Sequence, residues 1–142
     1  MVVSVIHENY AIKPIGHIQS ALQVLDEAPR QGLEGAPDAW LEVYQPFARG
    51  LFGITPGDEI IVITWLHLAD RDVLDIHPRG DPETPLAGVF ATRSPHRPNP
   101  LGLHRVIVHE ISEGRLRIEP IEAIDGTPVV DIKPILVGNA KA

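Results

Sequence analysis

Arg93 and Arg97 stand four residues apart in ATRSPHRPNPLG, residues 91–102, a run with no acid in it. The acid-free zone is wider, reaching from Thr84 to His109 in a chain of formal net charge −7. Pro95, Pro98 and Pro100 each fix φ near −65° and remove a backbone donor. Ser94, Arg97 and Asn99, the residues before them, are pushed toward extended backbone. Such a loop holds its side chains in place at low entropic cost. A guanidinium on it presents a planar, bidentate fork to a carboxylate or phosphate. The segment therefore reads as an anion site, with Gly102 behind it allowing a sharp turn or a close approach to the backbone.

Two further clusters carry polar chemistry. WLHLADRDVLDIHPRG, residues 65–80, follows an apolar run and contains His67, Asp70, Asp72, Asp75, His77 and Arg79. It matches neither the HExxH pattern nor an EF-hand loop, so no metal site is expected. His67, directly after the apolar run, reads either as a pocket hydrogen-bonder or as a satisfied residue at a strand end. EAIDGTPVVDIKP, residues 122–134, sets Glu122, Asp125, Asp131 and Lys133 around an Asp-Gly turn. Glu122 or Asp131 there is placed to accept from a ligand amine or hydroxyl; the plainer reading is a hairpin with a surface Asp–Lys pair.

The chain has neither a Rossmann fingerprint nor a P-loop, and no GxSxG elbow. Without cysteine, disulfides, thiolate catalysis and iron–sulfur clusters are excluded. A pI near 5.4 argues against indiscriminate nucleic-acid binding, yet leaves room for a local basic patch. The N-terminus has no basic region followed by an apolar stretch, and the longest apolar run, IIVITWL at 60–66, is too short to span a bilayer. The expected location is the cytoplasm, with no membrane partner.

The elements that must position these residues are short and β-branched. Segments 11–20, 40–47, 59–68, 86–93, 103–111, 115–124 and 127–135 read as strands, bounded by Gly, Pro and Asp. ISEGR at 111–115 and IDGTP at 124–128 read as tight hairpin turns. Fourteen prolines leave no room for long helices; short ones are expected near 20–26 and 45–50. The fold class is mainly β: one domain over residues 1–142, a β-barrel of about seven strands with short helices. Residues 136–142 are expected to form a frayed tail.

GVFATRSPHRPNPLGL (88–103), with DGTPVVDIKP (125–134) after it, resembles the TsaA-like family of small β-barrel methyltransferases. The resemblance runs from IGHIQS (15–20) through APRQGLEG (28–35) and nearly to the end of the chain. It implies S-adenosyl-L-methionine as cofactor and N6-methylation of threonylcarbamoyladenosine at tRNA position 37 as the reaction. It further implies a cofactor pocket built partly across a homodimer interface. Carried over residue by residue, that pocket takes Gln31, Gly32, His67, Arg93, Leu103 and Glu122. Arg93 would meet the methionine carboxylate, Leu103 would pack on an apolar part, and Glu122 would accept from a polar group. His96 and Arg97 would face RNA phosphate, and Asp131 is the candidate proton acceptor. The chain departs from the family pattern in three places: Glu122 replaces an Asp, Ile135-Leu136 follow DIKP where Tyr and a Pro-rich tail are common, and His104 stands where a small hydroxyl residue is common. Long members also carry a C-terminal domain that the resemblance does not reach. Two other readings use the same pocket: methylation of a small metabolite, or a non-catalytic sensor that binds S-adenosyl-L-methionine and a partner protein.

Overall fold

The computed structural model describes residues 9–21 and 38–136. Eight strands form: β1 (Gly16–Gln19), β2 (Ala39–Val43), β3 (Glu59–Trp65), β4 (Asp75–Ile76), β5 (Ala87–Gly88), β6 (Leu101–Ser112), β7 (Arg115–Glu119) and β8 (Pro128–Pro134). Six of them close a barrel in the order β1-β2-β7-β6-β3-β8, every described pairing antiparallel, while β4 and β5 form a separate two-stranded sheet. Closure removes the exposed edges that an open sheet of this size would present.

Strict alternation explains the closure. Along β6, Gly102, His104, Val106 and Val108 point inward while Leu101, Leu103, Arg105 and Ile107 point out. The inward residues meet Ile18, Leu41, Ile60, Val62, Leu116, Ile118 and Val129 in one buried cluster. Between β6 and β7 the chain turns at Glu113 and Gly114, both at positive φ (43° and 80°), as a two-residue hairpin requires. The ISEGR expectation is met there.

Most expected strands are shorter than the sequence suggested; 11–20 pairs only at Gly16–Gln19 and 40–47 stops at Val43. In 86–93 only Ala87–Gly88 pairs, and Val89–Ala91 winds into a 3₁₀ turn. Side-chain to backbone bonds take over: Thr92 Oγ1 donates to Val89 O at 3.0 Å and accepts from Ser94 N–H at 3.1 Å. In 115–124 the ladder stops at Glu119, because Pro120 has no N–H to continue it. The turn at Asp125–Gly126 therefore leads into β8 from an irregular segment and does not join two paired strands. In 59–68 the strand ends at Trp65, where the following loop begins. The short helix expected near 45–50 is a 3₁₀ helix at Gln45–Leu51. The helix expected near 20–26 falls mostly outside the described residues, as does most of the 136–142 tail.

Candidate functional site

The site lies at the end of the barrel where β3 stops and β6 starts, paired there as Trp65 with Leu101. Two loops are strapped together over this end. Leu66 N–H donates to Pro100 O at 2.8 Å and Arg97 N–H to Asp70 O at 3.1 Å. Asp70 N–H donates to His96 Nδ1 at 2.9 Å, and Arg71 Nε to Pro98 O at 2.7 Å. Arg71 also reaches Asn99 Oδ1 at 3.2 Å, and its guanidinium lies 5.0 Å from the centroid of the Trp65 ring. The strap fixes the proline loop, residues 92–100, against the loop that carries His67. Beside it a cavity of about 400 Å³ opens on the outer barrel face, walled by Tyr10, Ile12, Trp65, Arg71, Asn99 and Val130.

The sequence-predicted residues divide into groups. Arg93 is exposed and has no hydrogen bond or ion pair among the described residues, so its charge is available to an anion. His67 is exposed on the facing loop, likewise without a hydrogen-bond partner among the described residues. Leu103 points outward from β6 and is 52% exposed. Glu122 lies at the same end, held through His104 on β6. His67 follows β3, Arg93 and Leu103 flank the proline loop, and Glu122 is bonded to a β6 side chain; none of the four lines the 400 Å³ cavity. Gln31 and Gly32 lie outside the described residues.

Arg97 is placed differently from the expectation. Its Nη2 is turned into its own loop, donating to Val89 O and, at 2.9 Å, to Thr92 O. Nε is buried there as well. Arg97 therefore stitches the 3₁₀ turn to the proline loop, and its head is not offered to a phosphate. His96 is half-buried; its Nδ1 accepts from Asp70 N–H, which leaves the ring proton on Nε2. Asp131 is outward on β8, paired with Ile63, which in turn pairs with Leu103. Its carboxylate meets Lys133 Nζ at 3.1 Å and accepts from Ile132 N–H at 2.9 Å. No hydrogen bond or ion pair among the described residues joins it to Glu122 or Arg93.

Sequence reasoning passed over the polar group at the centre of this end. His104 is 4% exposed and Thr64 fully buried. Thr64 Oγ1 lies 2.7 Å from His104 Nε2, and His104 Nδ1 lies 3.0 Å from Glu122 Oε1. The group fits because residue 102 is glycine. A Cβ at that position would sit 2.5 Å from Thr64 Oγ1 and 2.8 Å from His104 Nε2. Gly102 thus makes room for a buried hydrogen bond and does not serve as a turn. The signal was present in LHRVIVHEI, where period-2 alternation puts His104 on the face of Val106 and Val108.

The model of the tRNA-methyltransferase O N-terminal domain matches residues 17–138. The chain belongs to this family. An S-adenosyl-L-methionine-binding protein of Archaeoglobus fulgidus is 42% identical over 122 residues, 86% of each chain. A probable S-adenosyl-L-methionine-binding protein of Methanocaldococcus jannaschii is 47% identical over 97 residues, 66% of this chain and 77% of the relative. Crystalline TrmO from Pseudomonas aeruginosa superposes with a TM-score of 0.72 at 33% identity, over 94% of this chain and 61% of that one. The chain therefore spans about three fifths of the crystallised enzyme.

Proposed function

We propose that the protein is an S-adenosyl-L-methionine-dependent methyltransferase that methylates N6 of threonylcarbamoyladenosine at position 37 of tRNA. The observation that supports this reading is the match of residues 17–138 to the tRNA-methyltransferase O N-terminal domain. Arg93 is a cation without a partner among the described residues, Leu103 an exposed apolar surface, and Glu122 a carboxylate whose Oε1 is bonded to His104. Those three chemistries complement the carboxylate, the apolar portion and the ammonium or hydroxyl groups of the cofactor. His67, Gln31 and Gly32 complete the set by family resemblance. When bound, the cofactor supplies a methyl group on a sulfonium, and the chain's own contribution is to hold donor and acceptor in line.

The exposed face of β6 supports a homodimer. Leu101, Leu103 and Ile107 are 39%, 52% and 39% exposed, in a row beside the half-buried Ile61 and Ile63 of β3. A second copy on this face would bury the apolar row around Leu103. The acceptor's phosphates meet His96 Nε2–H, while Arg97 stiffens the loop that presents it. Asp131, on the same outer face as Leu103, is the candidate to receive the proton released from the acceptor nitrogen.

The test is incubation of the purified protein with labelled S-adenosyl-L-methionine and tRNA lacking the methyl group, followed by counting label in the RNA. Label in RNA, with binding that weakens steeply as salt rises, supports the reading. Calorimetric cofactor binding without label in RNA would redirect it to a small-molecule acceptor or to a sensor.

A further inference from the structure

The barrel's only buried ionisable side chain among the described residues is His104, and nothing in the reaction proposed above uses it. Buried polar groups are costly unless bonded, so the geometry around it carries information. A carboxylate only accepts, so Nδ1, 3.0 Å from Glu122 Oε1, must hold a proton. In the neutral ring Nε2 is then an acceptor, and its partner at 2.7 Å is the Thr64 hydroxyl, which donates. The result is a one-way chain, Thr64 O–H to His104 Nε2 and His104 Nδ1–H to Glu122 Oε1. Its inner end is sealed and its outer end is half open: the Glu122 side chain is 23% exposed against 3% for His104.

We propose that His104 is a positioning residue: it pins Oε1 of Glu122 and so leaves Oε2 for the cofactor. This rests on the reading of Glu122 as a cofactor contact. A free Glu head samples several rotamers and loses that freedom on binding; one tied to His104 has lost it already in folding. His104 and Glu122 are in direct contact, so the acid and the ring act as one unit.

The buried polar side chains among the described residues are Thr64, His104 and Thr127. Glu122 is the one charged group bonded to the imidazole.

The experiment is calorimetric binding of S-adenosylhomocysteine to the full chain. Wild type is compared with His104→Ala, His104→Asn, Glu122→Ala and the His104→Ala/Glu122→Ala double variant. His104→Ala is expected to weaken binding about tenfold, and to make no further difference in the Glu122→Ala background. Asn keeps an N–H near the position of Nδ1, so affinity near the wild-type value is expected. A His104→Ala loss that adds fully to that of Glu122→Ala, or a His104→Asn loss as large as that of Glu122→Ala, overturns the proposal. Should His104→Ala fail to fold, His104→Asn alone decides by its affinity. In the ligand-free protein, ¹⁵N–¹H correlation of the ring must show the proton on Nδ1; an Nε2–H tautomer overturns the chain of bonds. Wild type that binds no S-adenosylhomocysteine overturns the parent reading and this one together, whereas wild-type binding with unaffected variants overturns this one alone.

Discussion

Gly102→Ala probes the core of the site with the smallest possible perturbation, one methyl group. The new Cβ would stand 2.5 Å from Thr64 Oγ1 and 2.8 Å from His104 Nε2, with Leu66 Cδ2 at 3.3 Å. All three distances lie below ordinary contact, and neither Thr64 nor His104 has room to retreat, since both are buried. Overpacking of this kind costs about 1–3 kcal/mol. Driving the hydroxyl and the ring apart adds about 1 kcal/mol for the lost hydrogen bond. The expected destabilisation is therefore about 2–4 kcal/mol. At roughly 3 °C per kcal/mol for a domain of this size, the melting temperature should fall by about 6–12 °C. Circular dichroism melts of wild type and variant read this directly. Combining Gly102→Ala with Thr64→Ala relieves one of the two clashes, so the pair should cost clearly less than the sum of its singles. A melting temperature within about 2 °C of wild type, on the same scale, would show that residue 102 does not make room for the bond.

Other perturbations separate structural from binding roles. Gly16→Ala would place a Cβ 2.0 Å from the Glu42 carbonyl oxygen, inside the β1–β2 ladder, and should prevent stable barrel closure; expression and a melt test it. Arg93→Ala should leave the melting temperature unchanged, since no described side chain depends on it, while weakening cofactor binding about tenfold or more by calorimetry, as loss of a charged hydrogen bond implies. Arg97→Ala should do the reverse: it removes the donor to the Val89 and Thr92 carbonyls, and proteolysis or hydrogen exchange over residues 86–100 should speed up. Leu103→Asp should leave the fold intact and shift the protein to monomer in sedimentation, with cofactor binding lost alongside; a dimer that persists would remove this face from the interface.

The barrel and its strapped loop were legible in the sequence for a simple reason. β3 and β6 are β-branched runs bounded by Gly, Pro and Asp, and proline-locked backbone has few alternatives. Legibility failed where side chains bond to nearby backbone instead of to a neighbouring strand. Residues 86–93 have the β-branched and aromatic content of a strand, yet Thr92 and Arg97 close the chain on itself around Val89. In 121–124, Ile121, Ala123 and Ile124 are all buried, so the alternation that marks a strand is missing after Pro120. The inward turn of Arg97 has the same origin: its acceptors are the Val89 and Thr92 carbonyls at a 3₁₀ turn that composition does not announce. His104 was hidden for a different reason. Its partners, Thr64 and Glu122, lie 40 and 18 residues away in sequence, and only the register of β3 on β6 brings the hydroxyl to the ring.

The central claim is tested most directly by identifying the labelled nucleoside. Two otherwise identical tRNA preparations, one carrying threonylcarbamoyl on adenosine 37 and one without it, are incubated with the protein and labelled S-adenosyl-L-methionine, then digested and separated. The account predicts label in a single nucleoside, N6-methylated threonylcarbamoyladenosine, from the first preparation and none from the second. Equal label in both, or none in either while the cofactor still binds, would contradict it.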